Sequence, residues 1–464
     1  MKAWLWLSLA PLLGCATVDT REAFAPVART VEQRSGHRVQ WVRGTPEDEQ
    51  VERRLNELLS RELTVDAAVE VALLGNPSLQ ATYEELGIAH ADLVQAGLLS
   101  NPVLSGALLL PGGPELPKLE LSIAQELLEL LTLPLRKKLA AREVERAQLR
   151  VAHEVLSLAA EVREAYFTLL ASQSALALQR TMVETSGSSA ELARRQQRAG
   201  NISELDLVSQ EAQYQQARLD VARAEVEVFA QRERMNRLLG AWGRRTAWTL
   251  PASLPELPKD DPSLEQLEAT AIAQRLDLAA ARTATQRMEQ SLQLARDTRL
   301  LGSVEVGAMG EREPGGERLI GPELTLELPL FDQQQASIAR LEAQAREARK
   351  RQDALAVDIR SEVRATRQRL LTARRVAEHY RAVLLPLRER IVAESQLFYN
   401  AMLLGVYQLV QVRQEQVNTY REYLESVRDY WIARSDLERV LGGRLSTAAP
   451  APAAPSPSET RPTP

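Results

Sequence analysis

Cysteine is almost absent: the 464 residues contain one. A single cysteine excludes an intrachain disulfide and any Cys-x-x-Cys metal or redox site. The 4 histidines, His37, His90, His153 and His379, are scattered, and the 6 methionines form no cluster of soft ligands, so no metal site is expected. Aromatics make up 4% of the chain, too few for three ordinary globular cores. The net charge of -5 leaves no broad basic surface for nucleic acid. No run after the N-terminus is long and apolar enough for a transmembrane helix. The HExxH, GxSxG, P-loop and Rossmann fingerprints are all missing, so no catalytic residue and no cofactor are expected. What remains is Ala, Leu, Arg, Glu and Gln in quantity, the composition of long helices and coiled coils.

The one cysteine has a telling position. The chain opens with Lys2 and an apolar stretch, Trp4 to Leu13, too short to span a bilayer as a helix. That is a secretory signal over residues 1–14. Leu12-Leu13-Gly14-Cys15 resembles the bacterial lipobox, whose cysteine is lipidated, and Ala16 resembles the following residue of lipoproteins sent to the outer membrane. Lipidation at Cys15 anchors a protein without any apolar helix. Residues 15–62 then form a lipidated N-terminal segment of undetermined fold.

The rest of the chain is written twice. Arg237-Leu238-Leu239-Gly240 returns as Arg439-Val440-Leu441-Gly442, and the same shift of 202 pairs Ile202 with Leu404, Leu207 with Leu409 and Val208 with Val410. At a shift of 203, Leu121 to Leu127 matches Leu324 to Leu330, and Pro111-Gly112-Gly113 matches Pro314-Gly315-Gly316. Repeat one is assigned to 63–249 and repeat two to 263–443, joined by a Pro-rich linker, 250–262, that cannot be helical. The Pro/Ala/Ser-rich tail, 444–464, is expected to be disordered.

Within repeat one, Thr64 and Asp66 start a helix that runs to about Leu99 with a kink at Asn76-Pro77. Two short segments follow, Asn101 to Leu110 and Lys118 to about Leu127. Helix resumes near Leu135, breaks at Ala199-Gly200-Asn201, restarts with Ser203 as cap and ends at Gly240. The long helix carries a heptad stripe through Val155, Val162, Leu169, Leu176, Val183 and Ala190. Repeat two repeats it through Val363, Leu370, Ala377, Leu384 and Ile391, with a kink predicted at Pro386. Helix lengths put the two short segments at one end of a rod and the Gly200 turn at the other.

The short segments alternate as strands do. Leu119, Leu121 and Ile123 alternate with Glu120, Ser122 and Ala124; Val304, Val306 and Ala308 alternate with Glu305, Gly307 and Met309; Leu324 to Leu330 alternates with Glu323, Thr325, Glu327 and Pro329. A small soluble sheet packed on helices would also alternate. With the lipobox and the rod end, the pattern reads as part of a transmembrane barrel. Four strands leave two open edges, so the barrel has to close by oligomerisation. Two chains make eight strands with a filled interior, and three make twelve with room for a conduit. Glu120, Glu305, Glu323 and Glu327 would face that lumen.

In this order, Leu63-Thr64-Val65-Asp66-Ala67-Ala68, Asn76-Pro77-Ser78-Leu79, Arg198-Ala199-Gly200-Asn201-Ile202-Ser203-Glu204-Leu205-Asp206 and Leu328-Pro329-Leu330-Phe331-Asp332 resemble the outer-membrane efflux protein family, the TolC-like channels. The resemblance covers about Leu63 to Gly443. It implies a mainly α fold with a small β part: a duplicated helix–strand–strand–long helix–helix repeat, three chains sharing one 12-stranded outer-membrane barrel, and a periplasmic helical coiled-coil tunnel. It also implies a homotrimer working with a periplasmic membrane-fusion adaptor and an inner-membrane resistance-nodulation-division pump. Gly36 to Trp41, Ala96 to Pro102 and Tyr399 to Gly405 resemble more narrowly the channels of heavy-metal pumps of that class, which implies metal cations as cargo.

On that resemblance, Gly200, Ser203, Met402 and Gly405 mark the helix-turn-helix tips where an adaptor docks. Asp206 and Tyr399 sit at one height near the mouth, where a Tyr399 hydroxyl bonded to Asp206 would hold a constriction shut. Asp206 serving only its own helix N-terminus is the competing expectation. Repeat two departs from the family at the turn, with Met402, Gln408 and Gln411 where Gly and Asp are common. The alternative function is a lipid-anchored periplasmic coiled-coil scaffold without a pore, which leaves the paired strands unexplained.

Overall fold

The computed structural model of the chain describes residues 21–110, 112–113, 117–259, 264–313 and 315–445. Cys15, the signal segment, Pro111, Pro314, the linker residues 260–262 and the tail from 446 lie outside them. The elements run α1 (Arg21–Ser35), α2 (Asp48–Leu59), α3 (Val65–Gly75), α4 (Pro77–Ala96), β1 (Val103–Leu109), β2 (Lys118–Glu126), α5 (Leu128–Arg198), α6 (Glu204–Leu239), a 3-10 turn (Gly243–Thr246), α7 (Leu267–Gln274), α8 (Leu276–Thr298), β3 (Val304–Arg312), β4 (Arg318–Leu326), α9 (Gln335–His379), a π-turn (Tyr380–Leu384), α10 (Leu385–Asn400) and α11 (Val406–Leu441). No described helix is long and apolar enough to cross a membrane.

The duplication is physical. Helices α6 and α11 each have 36 residues, begin and end 202 positions apart, and finish on a left-handed glycine, Gly240 at φ 65° and Gly442 at φ 77°. The Asn76 break is real: Asn76 adopts φ -73°, ψ 115°, and its amide nitrogen donates to the Leu238 carbonyl at 2.8 Å. The side chain thereby ties the α3–α4 corner to the last turn of α6.

Three boundaries differ from the sequence expectation. Helix α5 begins at Leu128, not Leu135, and carries Pro134 near its start. The proline is the seventh residue, past the first four N–H groups that lack an intrahelical partner, so it leaves the Leu130 carbonyl without its helical donor, and the helix runs on through it. Strand β4 spans 318–326 rather than reaching Leu330, so the true strand shift is 200. The connection between β3 and β4 has five residues, against eight between β1 and β2, which moves the strand three positions and leaves Leu328 and Leu330 beyond it, exposed. Residues 16–62, without a predicted fold, contribute α1 and α2.

The chain divides into two compact units, each drawing on both repeats. Unit 1 holds residues 1–29, 81–152 and 276–355 and contains all four strands. They form one antiparallel sheet in the order β1-β2-β3-β4. The unit also buries Val27, Tyr83, Leu86 and Val151, and Phe24 meets Tyr83 edge-on with centroids 5.1 Å apart. Unit 2 holds residues 30–80, 153–275 and 356–464. Its core takes the predicted α5 stripe at Val155, Val162, Leu169, Leu176 and Ala190, together with Tyr430, Leu437 and Leu441 of α11. Val183 is only half-buried.

Candidate channel surfaces: the sheet and the helical turns

The register of the sheet sorts its side chains. Leu121 faces Gly106 on one side and Gly310 on the other; Ile123 faces Leu104 and Ala308; Val306 faces Leu324, and Gly310 faces Ile320. Directly paired residues share a face, so these form one apolar surface across four strands. Leu104, Leu121, Ile123, Ile320 and Leu324 are all exposed on it. The opposite face carries Glu120, Glu305 and Glu323 together, as the alternation predicts. It adds three residues that were not singled out from the sequence. Glu126 pairs opposite Glu305, Glu311 pairs opposite Glu120, and the Lys118 ammonium bridges Glu120 at 2.9 Å and Glu311. The signal for Glu311 was the β3 alternation carried two residues further. Glu327 does not belong to this face. It follows the strand, and its carboxylate accepts hydrogen bonds from the Ser303 hydroxyl at 3.0 Å and the Ser303 amide at 3.3 Å.

The two turns have one backbone conformation and different residues. Gly200 takes φ 72°, and Met402, 202 positions on, takes φ 61°. In the first turn the Gly200 amide donates to Gln197 and the Asn201 amide to Gln196; in the second, Met402 donates to Tyr399 and Leu403 to Phe398. Both are helix C-caps of the Schellman kind. The helix starts match as well. Ser203 Oγ accepts from the Asp206 amide at 3.1 Å, while the Asp206 carboxylate accepts from the Ser203 hydroxyl at 2.7 Å and the Ser203 amide at 3.3 Å. In repeat two, Gly405 has no side chain to contribute, and Gln408 alone closes its half, accepting from the Gly405 amide at 3.2 Å.

Asp206 is therefore engaged in its own helix cap. Among the described residues no hydrogen bond joins it to Tyr399 within one chain. The phenol near Asp206 is that of Tyr407, which donates to Gln196 at 3.1 Å. Burial and the Asp206 carboxylate both raise the Tyr407 pKa.

Near these turns the helices of unit 2 lie side by side. Helix α6 joins α5 through Ser189 and Gln210 at 2.8 Å and Arg194 and Glu211 at 2.9 Å. Helix α5 joins α11 through the Gln196–Tyr407 bond and the stacked rings of Phe167 and Trp431. Helix α11 joins α10 through Arg388 and Glu415 at 2.6 Å. The order is α6-α5-α11-α10. Among the described residues no group of three or more His, Cys, Asp or Glu is placed to hold a metal ion.

The sequence model of the outer membrane efflux protein family matches residues 118–241, from β2 into the loop after α6. The chain is 22% identical over 395 residues to the cobalt-zinc-cadmium resistance protein CzcC of Cupriavidus metallidurans, a match covering 82% of this chain and 90% of that protein. Its fold is that of several solved structures. A membrane protein from Pseudomonas aeruginosa superposes with a TM-score of 0.70 at 20% identity, over 82% of this chain and 92% of that one. CusC, described as forming a transmembrane channel, gives 0.67 at 14% identity over 82% and 92%. The CmeC outer membrane channel of Campylobacter jejuni gives 0.64 at 14% identity over 89% and 92%.

Proposed function

We propose that this chain, which belongs to the outer-membrane efflux protein family, is the trimeric outer-membrane channel of a tripartite efflux system and passes metal cations to the exterior. The observation that carries the reading is the two-faced sheet. Its apolar surface suits lipid and its acidic surface suits a cation-conducting lumen. The sheet has two unpaired edges, β1 and β4, and edges are not tolerated in a bilayer. Head-to-tail pairing of β1 with the next copy's β4 removes them, and three copies give twelve strands. The metal cargo is supported by the likeness to a cobalt-zinc-cadmium resistance protein. Substrate choice then rests with the inner-membrane resistance-nodulation-division pump and the periplasmic adaptor, since no metal-binding cluster occurs among the described residues.

The adaptor docks, in this reading, at the turns of Gly200, Ser203, Met402 and Gly405. Asp206 and Tyr399 remain our proposed lining of the mouth, and an unchanged single-channel conductance in Tyr399→Phe would end a latch between them. Cys15 is the proposed site of lipidation. Metabolic palmitate labelling should be lost in Cys15→Ala, and the barrel should still assemble. The central test is planar-bilayer conductance of the purified protein. Cation-selective channels are expected, weakened in selectivity by Glu120→Gln with Glu305→Gln. A protein of this fold that conducts nothing is a scaffold, and the channel reading fails.

A further inference from the structure

The apolar face of the sheet is not apolar to its end. Register places Leu108, Leu119, Arg312 and Arg318 in one row across the four strands, since Leu108 pairs with Leu119, Leu119 with Arg312 and Arg312 with Arg318. Two residues further along each strand, the row is Gly106, Leu121, Gly310 and Ile320, so the two arginines share the face of the apolar residues. They sit at the hairpin end, away from the helices: β3 enters from α8 and β4 leaves for α9. The chain turns back between them, with the Glu313 amide donating to the Glu317 carbonyl at 3.0 Å and the Gly316 amide to the Glu313 carbonyl at 2.9 Å. Glu313 and Glu317, the next pair, therefore belong to the opposite face, and the Glu313 carboxyl lies by Glu311 in the acidic surface.

Positive charge is left unbalanced there. Like charges directly opposite one another in a sheet repel. Arg312 and Arg318 are both exposed, and among the described residues neither guanidinium has an ion pair or a hydrogen bond. Lys118, the other cation at this end, is by contrast on the acidic face and tied to Glu120 and Glu311. A second copy supplies no counter-charge either. The strand set beside β4 in the trimer reading is β1, Val103–Leu109, which has no carboxylate. Next to the arginines the face is shaped as a furrow along β3. A Cβ at Gly310 would find no atom nearer than 4.0 Å, while Leu121 and Ile123 of β2 and Ile320 of β4 stand exposed on either side.

We propose that Arg312 and Arg318 clamp the phosphorylated headgroup of an outer-leaflet lipid, with an acyl chain laid along the furrow of β3. A phosphate between two guanidiniums takes charge-assisted N–H···O bonds from both and cancels their repulsion. The occupant is a lipid because the arginines share their face with apolar walls, which suit a chain and not a soluble anion. The site belongs to repeat two alone, since repeat one fills the same row with Leu108 and Leu119. The proposal rests on the barrel reading and adds which strand pair meets which lipid chemistry.

Lipid binding by the full-length protein tests it. The purified protein in detergent is titrated with lipid A, and bound lipid is counted by native mass spectrometry. Arg312→Gln with Arg318→Gln should weaken binding about tenfold or more, through loss of the charge-assisted contacts. Arg312→Lys with Arg318→Lys should keep most of it, and Glu313→Gln with Glu317→Gln, on the opposite face, should not weaken it. Dephosphorylated lipid A should bind parent and Gln variant alike. Planar-bilayer conductance equal to the parent's checks that each variant keeps its barrel. Equal binding of intact lipid A by the parent and the double Gln variant overturns the site and leaves the channel reading standing. Inorganic phosphate that displaces lipid A at equal concentration makes the pair a soluble-anion site and overturns the lipid assignment. A parent protein that does not insert into phosphatidylcholine vesicles overturns the barrel and the lipid site together.

Discussion

The turn after α5 and the turn after α10 are copies of one design, 202 residues apart, and they reach the same backbone by unequal means. Repeat one uses Gly200 for the left-handed residue and a reciprocal Ser203–Asp206 cap. Repeat two puts Met402 in the left-handed region and caps α11 with Gln408 alone. A non-glycine residue in that region costs about 1–2 kcal/mol, so repeat two holds its turn with less local support. The closing glycines of α6 and α11 invite the same comparison, since both take positive φ but meet different surroundings.

The largest effect is expected at those glycines. A Cβ at Gly240 would run into the Gly75 carbonyl oxygen, while one at Gly442 would come within 3.2 Å of the Gln274 carbonyl oxygen. Gly240→Ala should therefore cost about 3 kcal/mol, combining left-handed strain with a backbone clash, and Gly442→Ala about 1–2 kcal/mol. Thermal melts of the two variants side by side give the difference, and equal shifts would remove the close-approach argument.

Next comes a site that belongs to repeat two. Glu362 binds Arg275 at 2.5 Å and Arg439 at 2.9 Å, linking α9 to the α7–α8 corner and to α11. Burial raises its carboxyl pKa, but the two guanidinium groups outweigh that and hold it below the ordinary value. A depressed carboxylate stabilises the fold above its unfolded pKa, near 4.3, and loses that contribution as pH falls through the folded value. Glu362→Gln should cost about 1–2 kcal/mol at neutral pH, discounted for partial exposure. The gap between variant and parent should close below about pH 4.

The turns themselves should respond in opposite directions. Gly200→Val meets no neighbour, so its cost is the strain of positive φ alone, about 1–2 kcal/mol. It should weaken adaptor crosslinking without loss of the assembled barrel. Met402→Gly should instead stabilise by about 0.5–1 kcal/mol. The caps complete the comparison. Ser203→Ala should lose about 1 kcal/mol, and Gly405→Ser should gain a few tenths. If Met402→Gly destabilises, the Met402 side chain has a partner in the assembly that outweighs its strain.

Much of the fold was legible because its signals are local. The Thr64 start, the Asn76-Pro77 break, the Gly200 turn and the Ser203 cap each depend on a residue and its next few neighbours. The α5 stripe and the β2 and β3 alternation depend only on the period of helix and strand. Elsewhere the local signals are ambiguous. Pro134 looks like a helix stop, yet α5 runs through it. Leu324 to Leu330 alternates cleanly, yet cross-strand pairing with β3 ends the strand at Leu326. Glu327 followed the same alternation and turned instead to Ser303.

The duplication, the two helical hairpin turns, the helical stripes and the two-faced strands follow from the chain alone, because periodicity and cap chemistry act within a few residues. Register came from folding. Packing sets Glu126 opposite Glu305, puts Tyr407 rather than Tyr399 by Asp206 within a chain, and turns Leu385 and Val392, not Leu384 and Ile391, inward beyond Ala377. Register depends on which partner a face packs against, and two heptads one residue apart are equally good on paper until a π-turn and a neighbouring helix choose between them.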